Sequence, residues 1–194
     1  MFRNKSYLNA FGILLILLVS AVMVTGLSQL SRANGLDEPF LDAIQKADVQ
    51  KLKHYLDKGA DPNIKDKNGI AALHLAATWS NVVIVKLLLE KGADPNLQDK
   101  DGMTPLTMAA ISNSSEIIEI LFDQGADPNL QDKKGMTPLH WPALLGKNEV
   151  ARLLIQKGAD VNAKNKLGQT PLDFAILEGH KEVADLLKKH GAKE

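Results

Sequence analysis

Gly92-Ala93-Asp94-Pro95-Asn96 decides how the rest of the chain is read, because the chain repeats it. It stands also as Gly59-Ala60-Asp61-Pro62-Asn63, Gly125-Ala126-Asp127-Pro128-Asn129 and Gly158-Ala159-Asp160-Val161-Asn162, always 33 residues on. Gly191-Ala192 is a last partial copy. A second motif keeps the same period: Asp99-Lys100-Asp101-Gly102-Met103-Thr104-Pro105-Leu106, then Asp132 to Leu139, then Asn165 to Leu172. Self-similarity at a fixed period of this length marks a protein of stacked repeats.

Each unit reads as turn, short helix, short helix, loop. Asp99 to Gly102 is a tight turn, and Gly102 suits the positive φ that such turns need; Gly69, Gly135 and Gly168 hold the same place. Thr104 can cap a helix and Pro105 fits its first position, where no N–H is needed. Thr137-Pro138 and Thr170-Pro171 repeat that pair. In the second helix Ile117, Ile120 and Leu121 form one apolar face, matched by Ile84, Leu87, Leu88, by Val150, Leu153, Leu154, and by Val183, Leu186, Leu187. Gly125 ends that helix with a left-handed residue, as Gly92 and Gly158 end theirs. Two short helices cannot bury their apolar faces alone, so each unit must cover its neighbour.

Gly135-Met136-Thr137-Pro138-Leu139-His140 and Leu88-Leu89-Glu90-Lys91-Gly92-Ala93-Asp94-Pro95-Asn96 resemble the ankyrin repeat pattern almost letter for letter. The resemblance covers about residues 36–194. It implies an all-α solenoid: five stacked helix-turn-helix units, about 34–65, 66–98, 99–131, 132–164 and 165–194, with β-finger turns as the second arm of an L. It implies little about chemistry, because fold does not fix function.

Residues 1–33 are of another kind. Arg3 and Lys5 precede an apolar run from Phe11 to Val24, expected to form a hydrophobic helix. A basic start and a hydrophobic core read as an export signal, with Ser31-Arg32-Ala33 as a cleavage site. The rival is an uncleaved anchor over residues 7–27, long enough to span a bilayer. Both place the repeats outside the cytoplasm: periplasmic or secreted after cleavage, held at the inner membrane otherwise. Membrane contact is then confined to residues 1–33.

The chain has 23 basic and 23 acidic residues and no cysteine. Arg3, Lys5 and Arg32 are all in the first 33 residues, which hold no acid, so the repeats are weakly acidic. That argues against nucleic acid, which calls for a basic footprint. No glycine-rich phosphate loop is present, and no thiolate metal site is available.

Departures from the period carry information. In the first unit Lys51 and His54 replace aliphatic residues, as suits an end unit with one wet face. The second has Ala71-Ala72 in place of Thr-Pro and should lack a cap. The third has Thr107 where His74 and His140 stand. In the fourth, Pro142 falls inside the first helix and should kink or shorten it; either its neighbour Trp141 fills the opened space or the kink widens a groove. The fifth ends with Lys181, Asp185, Lys188 and Lys189 on a polar outer face.

The histidines and the periodic aspartates Asp61, Asp94, Asp127 and Asp160 read as supports of turns and loops, so neither metal, cofactor nor catalytic residues are expected. In the ankyrin family partners commonly meet a concave surface of finger tips and first helices. Carried over, the partner-binding residues are an apolar row Ile70, Met103 and Met136, a second row Ile111, Leu144 and Leu177, with Leu145 and Trp79 beside them. Lys67, Lys100, Lys133, Lys134 and Lys166 rim them. An exposed apolar surface of that kind marks a binding site. The expectation is a non-catalytic, monomeric module that binds a protein. Its rivals are an accessory subunit of a cell-envelope enzyme and a small-molecule-binding or hydrolytic enzyme.

Overall fold

The structure, a computed structural model, describes residues 37–66 and 68–193. The readings of residues 1–33 as signal or anchor, and of Lys67 as a finger tip, lie outside them. No helix among the described residues is long and apolar enough to cross a membrane.

Among the described residues ten helices follow in pairs: α1 (Asp37–Gln45) and α2 (Val49–Asp57), α3 (Ala72–Thr78) and α4 (Val82–Glu90), α5 (Pro105–Ile111) and α6 (Ser115–Asp123), α7 (His140–Leu145) and α8 (Asn148–Gln156), α9 (Pro171–Leu177) and α10 (Lys181–Lys189). The first helix of each pair packs on the first helices before and after it, and the second on the second. One hydrophobic core therefore runs the length of the stack. Ile84, Leu88, Ile117, Leu121, Val150, Leu154 and Leu187 are all shut off from solvent, each contributing about 1.5–3 kcal/mol of burial. Ala76, Ala109, Ala143 and Ala175 are buried between first helices, where only a small side chain permits close approach.

Two of the first helices start as the repeat predicts, and two do not. Thr104 and Thr170 accept from the backbone N–H of Thr107 and Asp173, with Pro105 and Pro171 opening their helices. Ala71 caps nothing, as its methyl must. The departure is the fourth unit, where Thr137-Pro138 does not open α7 as the first two positions of a helix. Pro142 has no N–H to give to the Pro138 carbonyl one turn earlier, so regular helix begins only at His140 and runs six residues. Trp141 is buried in the core beside it, which favours filled space over a widened groove. Gly125 leaves α6 at φ 84°, with the Ala126 N–H returning to the Leu121 carbonyl, the left-handed stop expected of it.

The fingers are closed by their first residue. The carboxylate of Asp99 accepts from the N–H groups of Asp101 and Met103, while the Asp99 N–H donates to the Met103 carbonyl. Asp66, Asp132 and Asn165 do the same in their turns. Neighbouring fingers then touch through backbone: Lys133 N–H to the Asp101 carbonyl at 2.8 Å, Lys166 N–H to the Lys134 carbonyl at 2.9 Å. A Cβ on Gly135 would come within 2.8 Å of the Lys166 nitrogen. Glycine is required there for approach as well as for φ.

Between units the loop asparagine sets the register. The Asn96 side chain donates to the Gly125 carbonyl at 2.9 Å and accepts from the Asp127 N–H at 2.8 Å. Asn63, Asn129 and Asn162 make the same pair of bonds to their following units. Asp61, Asp94, Asp127 and Asp160 close their own loops by accepting from the asparagine N–H two residues on. The aspartate shapes one loop; the asparagine joins it to the next.

Candidate functional site

Two histidines show what the periodic polar residues do. His74 is fully buried and its Nε2 donates to the Met103 carbonyl at 2.9 Å. A carbonyl can only accept, so the proton is on Nε2 and Nδ1 carries a lone pair. In the fourth unit the matching lone pair of His140 is met by the Thr137 N–H at 3.0 Å and its hydroxyl at 2.9 Å. In the second unit the hydroxyl is missing, because Ala71 stands in that place, and His74 Nδ1 has no partner. Burial holds His74 down at about 4 and depresses His140 as well. Both stay neutral and tie one unit to the finger of the next. Burial raises Asp99 against the pull of its own turn N–H groups. No group of three residues suited to a metal ion occurs among the described residues.

The two expected apolar rows fare differently. Ile70, Met103 and Met136 are buried, Met103 only 8 % exposed, and belong to the common core. The expectation of an exposed row there is corrected. Beside Met103 and Met136 the next finger comes close enough to bond backbone to backbone, and the Asn165 amide lies 3.6 Å from Met136 Sδ; beside Ile70, Lys100 comes within 3.1 Å of where a Cβ on Gly69 would stand. Ile111 and Leu144 are half-buried and packed against the core.

What remains exposed lies at the carboxyl ends of the first helices. Trp79, just past α3, is 39 % exposed and Leu177, at the end of α9, 38 %. Leu145 closes α7 and is half-buried. Ser112, between Trp79 and Leu145 in the order of units, donates its hydroxyl to the Thr78 carbonyl at 2.8 Å. The strip is Trp79, Ile111, Leu144, Leu145 and Leu177, interrupted by Ser112 and ended by Glu178. A seven-residue helix is about 10 Å long, so the strip stands one short helix away from the fingers.

The rest of the site was not read from the sequence. The asparagine ladder was visible as a fifth letter in every copy of the loop motif. Exposed Val83, Leu167 and Ile176 replace a glutamate, polar finger residues and small buried alanines at the same register, so the period does signal them. Ile176 is half exposed, on a helix that packs only on the first helix before it and on its own partner helix among the described residues.

Ankyrin repeats, as a family model of three copies, match residues 40–132 and again 119–194. The chain belongs to the ankyrin repeat family. Ankyrin repeat domain-containing protein 46 of Rattus norvegicus and its namesake in Mus musculus are each 46 % identical to it over 50 residues. That stretch is 26 % of this chain and 22 % of each relative, so the ankyrin chain spans about a fifth of their length. Repeats of this family serve in general as protein-interaction modules, and an exposed strip across several ankyrin units is the kind of surface such a module offers.

Proposed function

We propose that this chain is a non-catalytic adaptor that binds a protein along the strip Trp79, Ile111, Leu144, Leu145 and Leu177. The observation that carries the reading is Trp79: a large aromatic ring left 39 % exposed beside half-buried aliphatic side chains. The same register is filled by Ser112 and Glu178 in other units, so stacking does not ask for an aromatic there. Tryptophan is among the residues that most often anchor protein interfaces. Ile70, Met103 and Met136 are removed from the surface first expected. The module acts as a monomer, and the sequence of residues 1–33 supports a place outside the cytoplasm, exported or anchored.

The test substitutes Trp79→Ser and Leu145→Ser together, borrowing the residue that the third unit already carries at this register. The variant is expected to stay folded with a loss of about 1–2 kcal/mol, since Leu145 is half-buried and Trp79 only 39 % exposed. Affinity capture of the natural partner from native cell fractions should be lost. Capture at full strength by a folded double variant contradicts the reading.

A further inference from the structure

The four fingers, residues 65–70, 98–103, 131–136 and 164–169, hold seven lysines and four aspartates. The remainder of residues 34–194 holds thirteen basic and nineteen acidic residues. The formal neutrality of the chain thus hides a basic arm on an acidic body. Three of the four finger aspartates, Asp66, Asp99 and Asp132, spend a carboxylate oxygen on two N–H groups of their own turn. Lys100, Lys133 and Lys166 stand exposed on three successive fingers. Salt bridges among the described residues engage Lys46, Lys51, Lys86 and Lys91 on the helices.

These charges recur once per unit, and so does the apolar strip one short helix away. Two tracks, one cationic and one apolar, run along the same stack: the exposed lysines on the fingers of the third to fifth units and the apolar strip from the second unit to the fourth. At the fifth, Glu178 takes the register of Trp79 and Leu145 and turns the end of the strip acidic. We infer that the partner of the strip contributes an extended segment rich in both acidic and apolar side chains, its carboxylates on the finger lysines and its apolar groups against Trp79, Leu144 and Leu145. Such a segment is linear, as the tracks are, and matches both chemistries at once. A nucleic acid strand would match the lysines only and would meet the acidic body. Electrostatic complementarity of this kind selects partners and speeds encounter more than it adds affinity, and the apolar strip supplies the hold.

The inference rests on the proposed use of the strip, and the experiment separates the two. Random peptides of about sixteen residues, long enough when extended to cover roughly 50 Å, are displayed as a library and selected on the full chain. Three baits run beside it: Lys100→Glu/Lys133→Glu/Lys166→Glu, the Trp79→Ser/Leu145→Ser variant, and a blank. The native chain should enrich net-acidic sequences with interspersed apolar residues. Their binding should fall about tenfold on the charge-reversed variant and weaken with added salt. Enriched peptides without acidic excess, still lost on the Trp79→Ser/Leu145→Ser variant, overturn the acidic segment and leave the strip as a protein site. Enrichment indifferent to both variants overturns the inference together with the strip. Capture of anionic phospholipid vesicles through the same lysines, with no acidic peptides enriched, assigns the fingers to a membrane surface and also overturns it.

Discussion

Lowering the pH from 6.5 to 4 is expected to remove about 3 kcal/mol of folding stability through His74 alone. Its folded value is held at about 4 by burial, against an ordinary value of 6.5. Within that window the unfolded chain takes up a proton that the folded chain excludes, so stability falls as pH falls and is complete above the window. His140, also depressed by burial, adds in the same sense. Asp99, raised by burial, acts oppositely, since its folded form gains from protonation. The check is a variant carrying Ala71→Thr and His74→Thr, which reproduces the Thr104–Thr107 pair of the third unit, whose hydroxyls lie 3.1 Å apart. Denaturant midpoints of both chains at pH 7.5 and pH 4.5 should show the native chain losing much more. An equal loss in the two chains would remove His74 from the account. At pH 7.5 the variant should also gain a helix cap worth about 1 kcal/mol and lose an unsatisfied ring nitrogen.

Gly135→Ala should destabilise the stack by about 3 kcal/mol, while Gly168→Ala, in the same turn one unit on, should cost about 1 kcal/mol. Both glycines have nearly the same backbone, φ 79° and 78°, so the strain of placing a side chain in the left-handed region is shared. They differ in what a methyl would meet. At Gly135 it lies 2.8 Å from the Lys166 nitrogen and 3.1 Å from the Asn165 backbone; at Gly168 nothing stands within 4 Å. Backbone atoms of a neighbouring finger cannot rotate aside, so the difference measures finger-on-finger packing. Thermal or urea unfolding of the two variants reads it directly. Equal effects would mean that the fingers do not approach as closely as the Lys166 N–H bond to the Lys134 carbonyl implies.

The same finger contact marks where the sequence stopped being legible. Repeat length, helix pairs, the Thr104 and Thr170 caps and the Gly125 stop were all local properties of one unit, and one unit could be read letter by letter. Met103 was a different matter. Its burial depends on how near the next finger lies, a distance between units that no letter of its own unit carries. The shortening of α7 follows from Pro142 as expected; what the single unit did not show is which end gives way, since the missing N–H acts one turn back, on the Thr137-Pro138 pair that elsewhere opens the helix. His74 and Ala71 could have been read together, since one unit shows the histidine with its threonine and another shows it without. Trp79 needed no structure to be singled out, only to be distinguished from the methionines that seemed to share its surface.

The central claim is that the strip led by Trp79 is where a partner sits. Photo-crosslinking tests it most directly, with a photoreactive phenylalanine placed at position 79, at position 145, or at position 83 on α4, and the chain expressed in its natural host. Val83 is 57 % exposed and stands on the second helix of the unit rather than at the end of the first, so it serves as a control more accessible than Trp79. The same protein adduct from positions 79 and 145, absent from position 83, is the expected result. Adducts formed at position 83 with positions 79 and 145 silent would contradict the account.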